Sequence, residues 1–307
     1  MITAEPEKWR DKYAQTAISR GKQRAMAQPS GKIKENRLRQ LAVLCSRYMK
    51  LVTNDRQRLM LLLAQAPLLA LLISFVADDQ QFEQYEMTKS LLFALSCSGF
   101  WIGMLNAIQE ICKERTILKR EYMTGLSLGA YVESKLIVLG VLCLIQSVMV
   151  TTVFSLLVGL PEEGILCPPF VELLLTTFIT SVSSAAMGLF VSSLFNNADR
   201  AMTVAPILLM PQILFSGLIF KLDGATELIS WLALCRFSME SYGTTADLNS
   251  LPLRLQQEGV MVPHETEAFY EYTVEHLLTS WGILLAYIVI FMVLARIVLG
   301  KIGKEKS

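Results

Sequence analysis

Six long apolar runs constrain this chain more than any other feature. They occupy residues 59–77, 90–107, 136–160, 170–195, 201–220 and 277–299. A helix rises about 1.5 Å per residue, so roughly 20 residues cross about 30 Å of hydrocarbon. In lipid every backbone amide needs a bond within the protein, which leaves helices or closed barrels. Barrel strands would alternate polar and apolar over about ten residues. These runs are continuously apolar, so the barrel is excluded and the expected fold is an all-α membrane protein. Composition agrees: 53% of the 307 residues are hydrophobic and 18% charged, against about 45–50% and about 25% in soluble domains.

Charge placement orients the runs. Residues 1–58 hold 14 Lys/Arg against 5 Asp/Glu, and the tail from Arg296 holds 4 against 1. Segment 221–277 holds 9 acidic residues against 3 basic, and the turns at 78–86 and 161–164 are also acidic. The positive-inside bias then predicts six transmembrane helices with both termini cytosolic. Residues 196–200 (NNADR) suit a tight cytosolic turn between the fourth and fifth spans. The chain divides into a basic cytosolic tether (1–36), an amphipathic helix (37–58) and a transmembrane domain (59–307) that includes an outer loop, 221–276. No apolar stretch resembling a signal peptide is read in the first 36 residues.

In segment 37–58, Leu38, Leu41, Leu44, Cys45, Tyr48 and Leu51 recur at three- and four-residue spacing, giving one apolar stripe opposite a basic face. Such a helix lies along the inner headgroups, or else packs on a cytosolic partner. Residues 228–234 are apolar but too short to span. Residues 248–275, with Pro252 and Pro263, read as a small outer subdomain.

Signatures of nucleotide-binding and metalloprotease chemistry are missing from the sequence. It has no GxxxxGK[ST] or HExxH. The polar residues within the runs include Gln65, Gln146, Gln212 and several Ser and Thr, none of them an activated acid, base or nucleophile. With two His and no CxxC, a metal site is not expected; nor is a nucleic-acid partner. The six cysteines read as small buried side chains, and Cys167 with Cys235 is the one pairing that the outer face allows. Ser184, Gly188 and Ser192 repeat every four residues and permit close approach of another helix. Pro206 and Pro211 interrupt the fifth run, as a kink beside a cavity or simply as a kink.

Between the second and third runs lies a charged hairpin, EICKERTILKREYMTGLSLGAYVESK. Glu110, Lys113, Glu114, Arg115, Lys119, Arg120 and Glu121 mix signs within twelve residues. The segment reads as helical from Ile108 to about Met123, with a turn at Gly125. It is either a solvated loop or a docking surface for a soluble partner. Glu133 and Lys135 sit at the membrane edge as solvated or ion-paired groups.

The run from Ile108 to Gln146 resembles the first cytosolic loop of the membrane domains of type-2 ABC exporters, most closely the G subfamily (White-like) and its bacterial relatives. The amphipathic helix before the first span, the segment FSGLIF at 215–220 and WLALCRFSME at 231–240 are similar to the same family. The resemblance implies that Glu110–Glu121 form the coupling helix, seated in a groove of an ATP-binding domain, and that 37–58 is the connecting helix. It implies a re-entrant outer hairpin between spans five and six. It also implies that the second and fifth spans of two copies line the substrate path, with Phe100, Trp101, Met104, Leu208, Leu209 and Ile213 as cavity residues.

On this reading the chain is the permease, not itself an enzyme, of an ATP-driven exporter of hydrophobic or amphipathic substrates in a bacterial inner membrane. It carries no cofactor; ATP and Mg belong to the partner ATPase, a separate subunit or another part of a longer chain. Reversing charge at Glu114 and Arg120 together is expected to uncouple hydrolysis from transport. The alternatives are a membrane scaffold or sensor that anchors a cytosolic protein and, last, a channel, which would be expected to show a pore motif.

Overall fold

The computed structural model describes Tyr13 and residues 37–77, 81–218, 224–252 and 267–301. The chain divides into two units, Met1–Asn36 and Arg37–Ser307, and the second carries the helical bundle. The expected tether therefore lies outside the described residues apart from Tyr13, as does the whole of segment 253–266. Among the described residues there is no strand.

Helix α1 spans Arg37–Asn54. It stops short of the expected residue 58 because Asp55 caps the next helix, its side chain accepting from the Arg58 amide at 3.2 Å. Aspartate at that position satisfies an otherwise orphaned N–H and favours a helix start over continuation. Only the middle of the α1 stripe is buried, at Leu44 and Tyr48, while Leu38 and Leu51 are exposed.

Helix α2 is Arg56–Val76 and α3 is Tyr85–Ala107. A turn and a short 3-10 segment, Cys112–Glu114, lead into α4, Arg115–Met123. The chain then reverses at Gly125, whose φ of +107° lies in the region that favours glycine. Helix α5 is Leu128–Leu157 and α6 is Pro169–Leu194. Both α3 and α5 begin several residues before the apolar runs do. The added turns hold charged and hydroxyl residues that find partners: Lys89 meets Glu267 at 2.9 Å, and the Ser127 hydroxyl caps Ala130 N.

Helix α7, Ala198–Leu214, has 17 residues with Pro206 and Pro211 inside it, and is shorter than the fifth apolar run. Helices α8 (Ala225–Ser230) and α9 (Leu234–Thr245) follow, and α10 is Val274–Gly300. Five helical segments among the described residues are long and apolar enough to cross a membrane: Arg56–Val76, Tyr85–Met123, Leu128–Leu157, Pro169–Leu194 and Val274–Gly300. Segment Tyr85–Met123 includes α3 and α4.

Helix α6 is the hub of the bundle and packs on α3, α5, α9 and α10. Its small residues face α3 at very close range. A Cβ placed on Gly103 would sit 1.9 Å from the Ser181 carbonyl oxygen, and one on Gly188 would sit 2.9 Å from Ala107 Cβ. The Ser184 hydroxyl bonds the Phe100 carbonyl at 2.5 Å. Small side chains on both helices allow this contact, which dispersion then stabilises.

Helix α9 is buried along its whole length, although its sequence includes Arg236 and Glu240. The two pair at 3.1 Å, and the guanidinium stacks on Phe269, Phe237 and Trp231. Burial pushes the Glu240 carboxyl above the usual carboxylate range even though Arg236 pulls it down. The expected outer subdomain is anchored next to α9: Asn249 bonds the carbonyls of Glu267 and Tyr270, both at 2.9 Å. All six cysteines are free thiols, and Cys235 packs in a core cluster with Cys97 rather than pairing with Cys167.

Candidate functional site: the anchored hairpin

The hairpin is held from three sides. Glu110, nearly buried at the end of α3, accepts from the Arg58 guanidinium of α2 and the Tyr48 hydroxyl of α1. Lys135 of α5 lies 3.6 Å from Glu110 and 2.9 Å from Glu114. Its ammonium sits 3.6 Å above the centre of the Tyr48 ring. Glu114 also accepts from the Tyr131 hydroxyl at 2.9 Å. Farther out, Arg47 pairs with Glu121, and Arg37 with Glu133.

The first turn of the hairpin is tied to α6 as well. The Ser192 hydroxyl accepts from the amides of Ile111 and Cys112 at 3.0 and 3.1 Å. Arg115 donates to the carbonyls of Ser193 and Phe195 at 2.9 and 3.2 Å, satisfying groups at the α6 C-terminus. Leu118 is buried beneath α4.

These contacts divide the seven charged hairpin residues of the expected coupling helix into two sets. Glu110, Glu114, Arg115 and Glu121 turn inward and anchor the hairpin. Lys113 and Arg120 are exposed, and Lys119 is half-buried. The outer face of α4 instead combines Arg120 and Thr116 with exposed Ile117, Tyr122 and Met123, the last 71% exposed. The paired reversal at Glu114 and Arg120 would therefore break an anchor as well as alter a surface.

Burial sets the electrostatics of the anchor. The Tyr48 hydroxyl is held well above its usual range, first by burial and then by the Glu110 carboxylate beside it. Arg47 is held in its charged form chiefly by its bond to Glu121. The phenols stay protonated and donate, and the carboxylates accept, so the cluster is suited to bracing rather than to proton transfer. Sequence reasoning missed Arg47, Tyr48, Arg58 and Tyr131. It placed Lys135 at the membrane edge, where a lysine inside an apolar helix signals a paired partner.

The proposed cavity residues divide differently. Phe100 and Met104 are fully buried, in a cluster with Ala201, Ala205, Leu234, Phe237 and Leu284. Leu208 and Leu209 pack against that cluster, and Trp101 and Ile213 are half-buried. A polar relay ties α2, α3 and α5 at mid-depth: Gln65 donates to Asn106 at 3.3 Å, Asn106 to Gln146 at 2.6 Å, and Gln146 to the Leu62 carbonyl at 2.6 Å.

Residues 39–247 match the family described as ABC-2 type transporter. Over 224 residues the chain is 28% identical to the ABC transporter ATP-binding/permease protein Rv1747 of Mycobacterium tuberculosis (strain ATCC 25618 / H37Rv). That alignment covers 69% of this chain and 26% of the relative, so the chain spans about a quarter of the relative's length. The matched region runs from α1 through the anchored hairpin to the end of α9, and most of the spanning helices lie within it. The chain is an integral multi-pass membrane protein and belongs to the ABC-2 type transporter family, as its membrane permease domain.

Proposed function

We propose that this chain is the moving pathway of an ATP-driven exporter of the G-subfamily type, with hydrolysis carried out by an ATP-binding domain docked on the hairpin. One observation carries the reading: the inner side of the hairpin is braced to α1, α2, α5 and α6, while Ile117, Arg120 and Met123 stay exposed on α4. A braced element with a mixed apolar and basic outer face transmits a push instead of absorbing it. The relative's name, which joins ATP-binding and permease functions, supports a nucleotide-binding partner here, fused or separate.

In this arrangement two copies of the membrane domain face each other through α3 and α7, and ATP with Mg is bound and hydrolysed on the partner domains. Closure of those domains pushes the hairpins and tilts α3 and α5, giving alternating access. The spans number six, with α7 as the fifth, α8 and α9 as the re-entrant outer hairpin, and both termini cytosolic. Exposed aliphatic residues along α7, including Ile207, Met210 and Leu214, suit a hydrophobic or amphipathic substrate in a bacterial inner membrane.

The test pairs Ile117→Asp with Arg120→Glu in the complex purified in mild detergent and returned to vesicles. Normal assembly of the membrane domain is expected, with ATP hydrolysis no longer stimulated by substrate and transport lost. Wild-type pumping by the double variant would place docking elsewhere. A partner without ATPase activity would favour the scaffold.

A further inference from the structure

Helix α9 begins without a cap of its own. Its N-cap is Ala233, whose side chain has no oxygen to offer the free amides of the first turn. The missing bond comes from another helix. The Cys235 amide, at the second position of α9, donates to Gln212 Oε1 of α7 at 3.1 Å. That is an amide a capping side chain ordinarily takes. Cys235 and Gln212 are both buried, so solvent does not replace the bond when it breaks. The carbonyl of the same residue is held from a different side: the Ser96 hydroxyl of α3 donates to it at 3.3 Å. The start of α9 is thus clamped between α3 and α7.

The two helices that Gln212 joins are held with unequal firmness. Helix α9 is buried along its whole length and packs on α3, α6 and α10. Of the 17 residues in α7, only Ala201, Ala205 and Gln212 are buried, and Gln212 is the one polar side chain among them. Pro206 and Pro211 each delete a backbone bond, which leaves the carbonyls of Met202 and Ile207 without their helical partners. A helix interrupted in this way bends there. A shift of α7 away from the bundle would pull Gln212 off Cys235 and leave a buried amide unpaired, which is costly.

We propose that Gln212 is a positioning residue for transport: its carboxamide caps α9 from a neighbouring helix and so latches α7 to the outer hairpin. The latch rests on α7 being the fifth span and α8 with α9 the re-entrant hairpin, as in the proposed function. Breaking it frees α7 to move, and remaking it returns α7 to the packed position.

The experiment uses the full chain in lipid nanodiscs, in a background lacking the native thiols. Spin labels are placed through Met210→Cys on α7 and Leu285→Cys on α10, both exposed positions. Labelled chains are diluted with unlabelled ones, and the distance distribution is read by pulsed electron resonance. Wild type should give mainly one distance. Gln212→Met, close in volume but without the oxygen acceptor, should raise the ratio of displaced to packed α7 about tenfold, the scale of one buried hydrogen bond. Gln212→Asn, one methylene too short to reach Cys235, should do the same. Gln212→Glu, which keeps an oxygen at the original reach, should restore the wild-type distribution. Ser96→Ala frees the Cys235 carbonyl but spares the Gln212 bond, so α7 should stay in place.

A change in the ratio of less than about threefold in Gln212→Met would overturn the latch. So would Gln212→Asn behaving as wild type, or Gln212→Glu behaving as Gln212→Met. An equal displacement in Ser96→Ala would also overturn it, because any loosening of the α9 terminus would then suffice. Nucleotide and partner domain are absent from this assay, so failure of the latch leaves the docking reading standing, and failure of docking leaves the latch standing.

Discussion

At the residue scale, Lys135 is the keystone. It sits among three groups: the buried carboxylate of Glu110, the half-buried carboxylate of Glu114 and the ring of Tyr48. Removing one partner of a buried ion pair leaves an uncompensated charge, at a cost of about 3–5 kcal/mol, whereas the intact pair is itself worth little. Lys135→Met should therefore lower the thermal midpoint of the detergent-solubilised protein sharply, read by loss of the monodisperse peak after heating. A midpoint within a degree or two of wild type would remove Lys135 from the bracing. The lysine was visible in the sequence as a charge at the head of an apolar run. Its partners were not, because Glu110 and Tyr48 lie 62 positions apart in the chain and meet only in the folded bundle.

At the element scale, the α3–α6 crossing shows what a sequence pattern reveals and what it hides. The stripe Ser184, Gly188, Ser192 was legible as a surface of close approach. Its mate, Gly99, Gly103 and Ala107 on α3, has the same spacing and was passed over in a run assigned to the substrate path. Small residues announce that some helix comes near, and only the tertiary arrangement says which one. Gly103→Ala would drive a methyl into the Ser181 backbone, so it should destabilise by about 1–3 kcal/mol through overpacking. Gly140→Ala, whose Cβ would meet nothing within 4 Å, should be tolerated. Equal thermal midpoints for the two variants would refute the close crossing. The boundary between α1 and α2 carries a related lesson. Asp55 cuts an apparently continuous amphipathic segment, since a cap is a local hydrogen-bonding event that periodicity does not register.

At the scale of the whole molecule, the proposed six-span topology with both ends inside makes a simple prediction. A cysteine at Glu163 should react with an impermeant maleimide on intact cells, and one at Arg120 only after permeabilisation, in a background lacking the native thiols. The opposite pattern would invert the protein. That the chain is an all-helical membrane protein followed from the sequence alone. Lipid solvates apolar side chains and leaves backbone amides no partner outside the chain, so composition along a run dictates a helix wherever the run lies. Which charges brace the hairpin and which face outward was decided only by the tertiary structure, as was the full burial of α9 with Arg236 and Glu240 inside the bundle. Ion pairing and burial depend on distances between segments far apart in the chain, and no local count of residues contains those distances.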